Sequence, residues 1–120
     1  MLTKDQRFHG HNSLRPVYNK GRSVYSRRLK FMWLPTNKST SRAAVVVSKK
    51  VHKSAVVRNR IRRRLYAQLA QLFKSARQSA DIVVVVSDVS LATVPEQQLK
   101  SEVGTLAQAA LMGARITLKK

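Results

Sequence analysis

Between Gln6 and Ala80 the chain carries nineteen lysines and arginines and no aspartate or glutamate. No cation in that stretch has a nearby acid to neutralise it, so a fold must keep these groups on its surface and draw its stability from apolar packing. The other five cations cancel the five carboxylates, Asp5, Asp81, Asp88, Glu96 and Glu102, so the formal charge of +19 belongs to this stretch alone. A surface this one-sided repels itself and is relieved by a polyanion. Nucleic acid fits best, with acidic lipid a distant second.

A length of 120 residues allows one core, and the 43% hydrophobic content is too high for a disordered basic tail. Residues 1–120 are therefore read as a single nucleic-acid-binding domain, with 1–11, which show no periodicity, as a mobile basic arm. With no cysteine, disulfides, thiolate metal sites and cysteine nucleophiles are excluded. No apolar run approaches the roughly 20 residues that span a bilayer, and the polar N-terminus lacks a secretory pattern. A cytoplasmic protein without a membrane partner is expected.

The spacing predicts a short helix from Ser13, with Ser13 as N-cap, Pro16 in the first turn and Gly21 as its stop. Val24 to Leu34 reads as a strand with Leu29, Phe31 and Trp33 on a core face and Arg28, Lys30 and Met32 on a wet one; a short extra strand near Val24 is an option. Ala43 to Ser48 is a second strand. The long helix from Ser54 or Ala55 to about Ser75 has one apolar stripe: Val57, Ile61, Leu65, Leu69, Leu72 and Ala76. Asp81 to Ser87 is a central strand. A last helix is announced by Thr93 and Glu96 in capping-box spacing, buries Leu99, Val103, Leu106 and Ala110, and ends at Gly113. The order helix-strand-strand-helix-strand-helix makes an α+β fold, a single mixed sheet packed with helices.

Within the long helix, Arg58-Asn59-Arg60-Ile61-Arg62-Arg63-Arg64 places Arg60, Arg63 and Arg64 away from the stripe and Asn59 and Arg62 at its border. Arginine suits phosphate because its planar fork holds two oxygens at once. The plain alternative, a solvated face, would mix signs, and this one has no acid in reach.

The run Val47-Ser48-Lys49-Lys50, followed after seven residues by Arg58-Asn59-Arg60-Ile61-Arg62-Arg63, resembles the protein subunit of bacterial ribonuclease P. The resemblance extends to Val17-Tyr18-Asn19-Lys20-Gly21-Arg22-Ser23-Val24, Leu29 to Pro35, Asp81 to Val86 and Glu96 to Leu106. It implies a ribosomal-protein-like sandwich with a left-handed crossover through the arginine helix, against the usual handedness. It also implies an accessory subunit of a tRNA 5′-processing endoribonuclease, whose RNA component supplies the chemistry and whose partners are that catalytic RNA and precursor tRNA. By matching position, Lys49, Lys50, Arg58, Asn59, Arg60, Arg62 and Arg63 would face RNA. Tyr18, Met32, Val46 and Ser48 would line a cleft for the single-stranded 5′ leader. Four positions depart from the family pattern: Leu14 replaces a second cleft aromatic, Pro16 interrupts the first helix, Tyr66 replaces an arginine and Arg64 a leucine.

Trp33 and Phe31 are read as core rather than as stacking platforms. His9, His11 and His52 stand without partners at metal spacing, and Glu96 is assigned to the cap, leaving no carboxylate pair for acid-base or metal work. No catalytic residue and no metal bound by the protein alone are expected; Mg²⁺ is held mainly by the RNA partner. No protein partner is implied. The competing reading is a small basic ribosomal RNA-binding protein, which composition alone does not separate. A sequence-specific DNA binder ranks third, because the arginine helix leads into a strand rather than a second helix.

Overall fold

The computed structural model describes the backbone of residues 11–35, 41–75 and 80–118, and the side chains of 16–35, 41–74 and 80–109. Along the chain run α1 (His11–Lys20), β1 (Arg22–Tyr25), β2 (Leu29–Pro35), β3 (Arg42–Val47), α2 (Ala55–Ser75), β4 (Ala80–Val86), a 3₁₀ turn (Val89–Ala92) and α3 (Glu96–Leu118). The described strands form one mixed sheet in the order β1-β2-β4-β3. Only β3 and β4 are parallel, and α2 is the connection between them. To this crossover the family resemblance assigns its left hand. As its all-apolar run requires, β4 lies inside the sheet and is buried nearly throughout.

One face of the sheet carries Leu29, Phe31 and Trp33 of β2, Ala43, Val45 and Val47 of β3, and Ile82, Val84 and Val86 of β4. Against it pack Ile61, Leu65 and Leu69 of α2, Leu91, and Leu99, Val103 and Leu106 of α3. The α2 stripe is thus the core, and full burial of each such side chain contributes about 1.5–3 kcal/mol. Ala76 falls outside the described residues, as does the side chain of Ala110.

The other face is not wet, as the alternation suggested. Val17 of α1 lies over Met32, Ala44 and Val83 in a second, small core. These belong to one cross-strand row, Ser23–Met32–Val83–Ala44, of which α1 covers all but the exposed Ser23. In the adjoining row at one end, Leu34–Asp81–Arg42, the Arg42 Nε and Nη2 donate to the Asp81 Oδ1 and Oδ2 at 3.0 and 2.8 Å. That contact raises the pKa of the Arg42 guanidinium and satisfies Asp81, the one buried charge among the described residues.

Three boundaries differ from those read in the sequence. First, α1 begins at His11, so Ser13 is inside the helix rather than its N-cap, and Pro16 lies beyond the first turn. Gly21 does follow the helix, but not for a left-handed backbone. A Cβ there would sit 2.5 Å from the Val17 carbonyl oxygen and 3.1 Å from that of Trp33, so only glycine lets the helix end close against β2. Second, the expected Val24–Leu34 strand is a hairpin, the short extra strand being β1. Ser26 makes its turn: its N–H donates to the Leu29 carbonyl, and its Oγ accepts from the Arg28 and Leu29 amides. Third, Thr93 does not cap α3; its N–H donates to the Ser90 carbonyl and closes the 3₁₀ turn. Glu96 is then the first residue of α3, which runs past Gly113 to Leu118.

The outer edge of β3 is closed by α2. The Val45 N–H donates to the Tyr66 hydroxyl at 3.2 Å, and the Arg62 Nη2 donates to the Val47 carbonyl at 3.3 Å. One turn apart on α2, these residues occupy backbone groups that a further strand would otherwise meet.

Candidate nucleic-acid interface

Ser54 opens α2, its Oγ accepting from the Val57 N–H. Before it, Ser48 to Val51 is a turn closed by the Val51 N–H on the Ser48 carbonyl, with Lys49 and Lys50 exposed at its tip. The Arg58 Nη1 reaches back to the carbonyls of His52 and Lys53, tying this basic turn to the helix, while the His52 Nδ1 accepts from the Ser54 N–H. Arg62 donates to the Asn59 Oδ1 at 2.7 Å as well as to Val47. Lys49, Lys50, Arg58, Asn59 and Arg62 are thereby brought to one end of the sheet, where β3 meets α2.

Arg60 and Arg63 lie on a different side of the helix. Both are exposed and, among the described residues, have no hydrogen-bond or ion-pair partner. Arg64, expected to project with them, does not. Its Nη1 donates to the Leu91 carbonyl at 2.6 Å and its Nη2 to the Val94 carbonyl, so it clamps the segment between β4 and α3 onto α2. The five arginines of the motif therefore divide into two that brace the basic end, two that are free and one that is structural.

The described carboxylates are largely spent inside the fold. Glu102 accepts from Arg28 Nε and Nη2 and from the Ser26 hydroxyl, fastening the hairpin turn to α3, while Arg28 also donates to Ser90. Asp88 accepts from the Ser90 amide, which holds its carboxyl below the ordinary carboxylate range. Asp81 is held by Arg42. Only Glu96 is left without such a contact among the described residues. Among the same residues no three His, Cys, Asp or Glu gather as metal ligands.

On the α1 face of the sheet, the row beyond the covered one is Tyr25–Lys30–Val85–Val46. Lys30, Val85 and Val46 are partly exposed, and Ser48, exposed, continues the strip to the Lys49–Lys50 turn. Met32 shares this face as the resemblance implies, but it is 3% exposed beneath Val17 and is a packing residue instead. Tyr18 is 48% exposed on α1. Tyr25, not singled out by the sequence, is the most exposed large apolar side chain described, at 70%, with the Lys30 ammonium 5.6 Å from its ring centroid. Its signal was present: once the hairpin is recognised, alternation puts Tyr25 opposite Lys30. Trp33 and Phe31 are core, as expected. The His9 position and the side chains of His11 and Leu14 lie outside the described residues.

A cationic helix and turn beside a half-covered strip with an exposed aromatic can hold phosphates at one place and an unpaired strand at the other. Comparison with known proteins points the same way. The sequence pattern of the Ribonuclease P family matches residues 2–111. The ribonuclease P protein component of Synechococcus elongatus is 36% identical over 104 residues, covering 82% of this chain and 85% of that protein. Among solved structures, the Staphylococcus aureus RNase P protein superposes with a TM-score of 0.74 at 24% identity, covering 88% of this chain and 94% of that one. The Thermotoga maritima RNase P protein gives 0.72 at 17%, covering 85% and 96%. These two establish the likeness of fold.

Proposed function

The chain belongs to the ribonuclease P protein family, as a component of a tRNA-processing endoribonuclease complex that partners the RNase P RNA, and from that premise we propose how its surface divides the work. Arg60 and Arg63, with the Lys49–Lys50 turn and the braced Arg58, Asn59 and Arg62, hold the backbone of a catalytic RNA. The strip Tyr25–Lys30–Val85–Val46, bounded by Tyr18 and Ser48, takes the single-stranded 5′ leader of precursor tRNA. The observation that carries this reading is the pair of exposed guanidiniums that, among the described residues, have no partner and face no acid but Glu96. The ribosomal alternative is not favoured by the family match.

The donor set does not fit a magnesium cradle: three of the four described carboxylates are committed to Arg42, Arg28 and the Ser90 amide. Bond cleavage is therefore assigned to the RNA, whose phosphate oxygens hold Mg²⁺, in the cytoplasm. The protein's share is to bind the leader and to lower repulsion between two polyanions.

Cleavage of precursor tRNA is compared for protein alone, RNA alone at high magnesium, and both at low magnesium. We expect activity only in the last two, with the protein tightening binding of precursor but not of mature tRNA. R60A/R63A should lower affinity for the RNA and flatten its dependence on salt by roughly 0.7–0.9 in log-log slope per lost phosphate contact. An unchanged slope removes α2 from the interface. Cleavage by RNA-free protein overturns the assignment of chemistry.

A further inference from the structure

The two free arginines of α2 line the same cavity. It has a volume of about 300 Å³, lies between α2 and the first turn of α3, and is of the size at which small-molecule sites begin. On its α2 side Arg60, Arg63 and Ala67 follow one another at helical spacing, with Arg64 beside them, so the guanidiniums stand next to a notch left one turn further on by a methyl group. On its α3 side stand Glu96 and, behind it, the buried Leu99. Arg64, clamped to the Leu91 and Val94 carbonyls, holds the segment that leads into α3 and so fixes the separation of the two walls.

The lining is chemically mixed in a particular way. Glu96 makes no ion pair with Arg60 or Arg63, although all three line the cavity. A site for a bare phosphate gains nothing from a carboxylate, which repels it. A nucleotide differs from phosphate in offering an anion, a flat apolar face and an edge bearing hydrogen-bond donors. Those three features match the two guanidiniums, the exposed Ala67 methyl above the floor that buried Leu99 closes, and Glu96, which as a carboxylate only accepts. Guanine alone among the common bases presents two adjacent donor groups, N1–H and N2–H₂, on its Watson–Crick edge, and a carboxylate can accept from both at once.

We propose that the cavity between α2 and α3 receives one unpaired guanine nucleotide of the RNA partner. Its base rests against Ala67, its donor edge meets Glu96, and its phosphate meets Arg60 and Arg63. This rests on the reading of α2 as an RNA-facing helix and adds to it a base-specific contact.

The test titrates GMP, AMP, CMP, UMP and inorganic phosphate into the full-length protein, followed by backbone amide NMR, and measures RNA affinity across a salt series. GMP should shift the amides around Arg60–Gln68 and Glu96–Leu99 and bind about tenfold tighter than the other nucleotides, the scale of one charge-assisted hydrogen bond. E96Q should abolish that preference. A67M keeps every charge of the protein and fills the notch, so it should weaken RNA binding about tenfold. Equal binding of all four nucleotides, or phosphate as tight as GMP, overturns the proposal, as does full affinity in A67M with its fold intact by NMR. Either result leaves the α2 interface standing if R60A/R63A still flattens the slope; a slope unmoved by R60A/R63A sinks the interface itself.

Discussion

Arg60 and Arg64 are the same side chain one turn apart on the same helix, and they do different work. Arg64 spends its fork on two backbone carbonyls of the 3₁₀ turn and its exit, partners that lie 27 and 30 residues along the chain. Hydrogen bonds from a charged donor are worth about 1.5–3 kcal/mol each, less where water reaches them. R64A should therefore lower stability to urea by about 1–3 kcal/mol and leave the salt slope of RNA binding unchanged. R64K should restore little, because an ammonium cannot span two fixed carbonyls as a planar fork does. A flattened salt slope in R64A would place Arg64 among the phosphate contacts after all. Helical periodicity shows which arginines leave the apolar stripe, but not which of them find an acceptor. That depends on where the Val89–Ala92 turn leaves its carbonyls, a tertiary matter. Glu96 departs from its expected role for a related reason: Thr93 closes the 3₁₀ turn instead of capping α3, which leaves the carboxylate to the cavity.

At the scale of elements, the segments with strong periodicity were legible and those set by single polar contacts were not. The α2 stripe and the β-branched run of β4 allow little else. The hairpin was hidden because its turn contains neither glycine, proline nor asparagine; a serine hydroxyl bonding two amides does their work. The start of α1 was misplaced because Pro16 argues for a first turn. Beyond that turn, a proline removes the amide that would bond to the carbonyl four residues back and costs about 3 kcal/mol, partly offset by about 0.4–1 kcal/mol through its restriction of the unfolded chain. P16A should accordingly stabilise α1 by on the order of 2 kcal/mol, read as slower hydrogen exchange at Val17–Gly21. Unchanged protection would mean that the helix tolerates Pro16 by beginning after it. Because Val17 of α1 lies over Met32, Val83 and Ala44, this change tightens the roof over Met32.

For the whole molecule, charge and topology have to be taken together. The sheet order leaves β3 at an edge, and Ala43 to Val47 is an uncharged run rich in valine beside the still more apolar β4. Such an edge is a template for another chain's strand. Two protections stand against that. One is the long-range repulsion between copies that carry +19 each, which salt shortens to about 10 Å at 0.1 M. The other is the pair of α2 side chains, Tyr66 and Arg62, seated on the Val45 amide and the Val47 carbonyl. The double variant R62A/Y66F should stay monomeric at low ionic strength and form oligomers as salt is added, by light scattering, whereas the parent chain remains monomeric throughout. Parity between the two would show that repulsion or strand twist alone keeps the edge closed. The guard on the edge and the proposed grip on RNA are thus parts of one helix: on that proposal an RNA seated on α2 would press it onto β3, so that assembly of the particle would also protect the protein against aggregation.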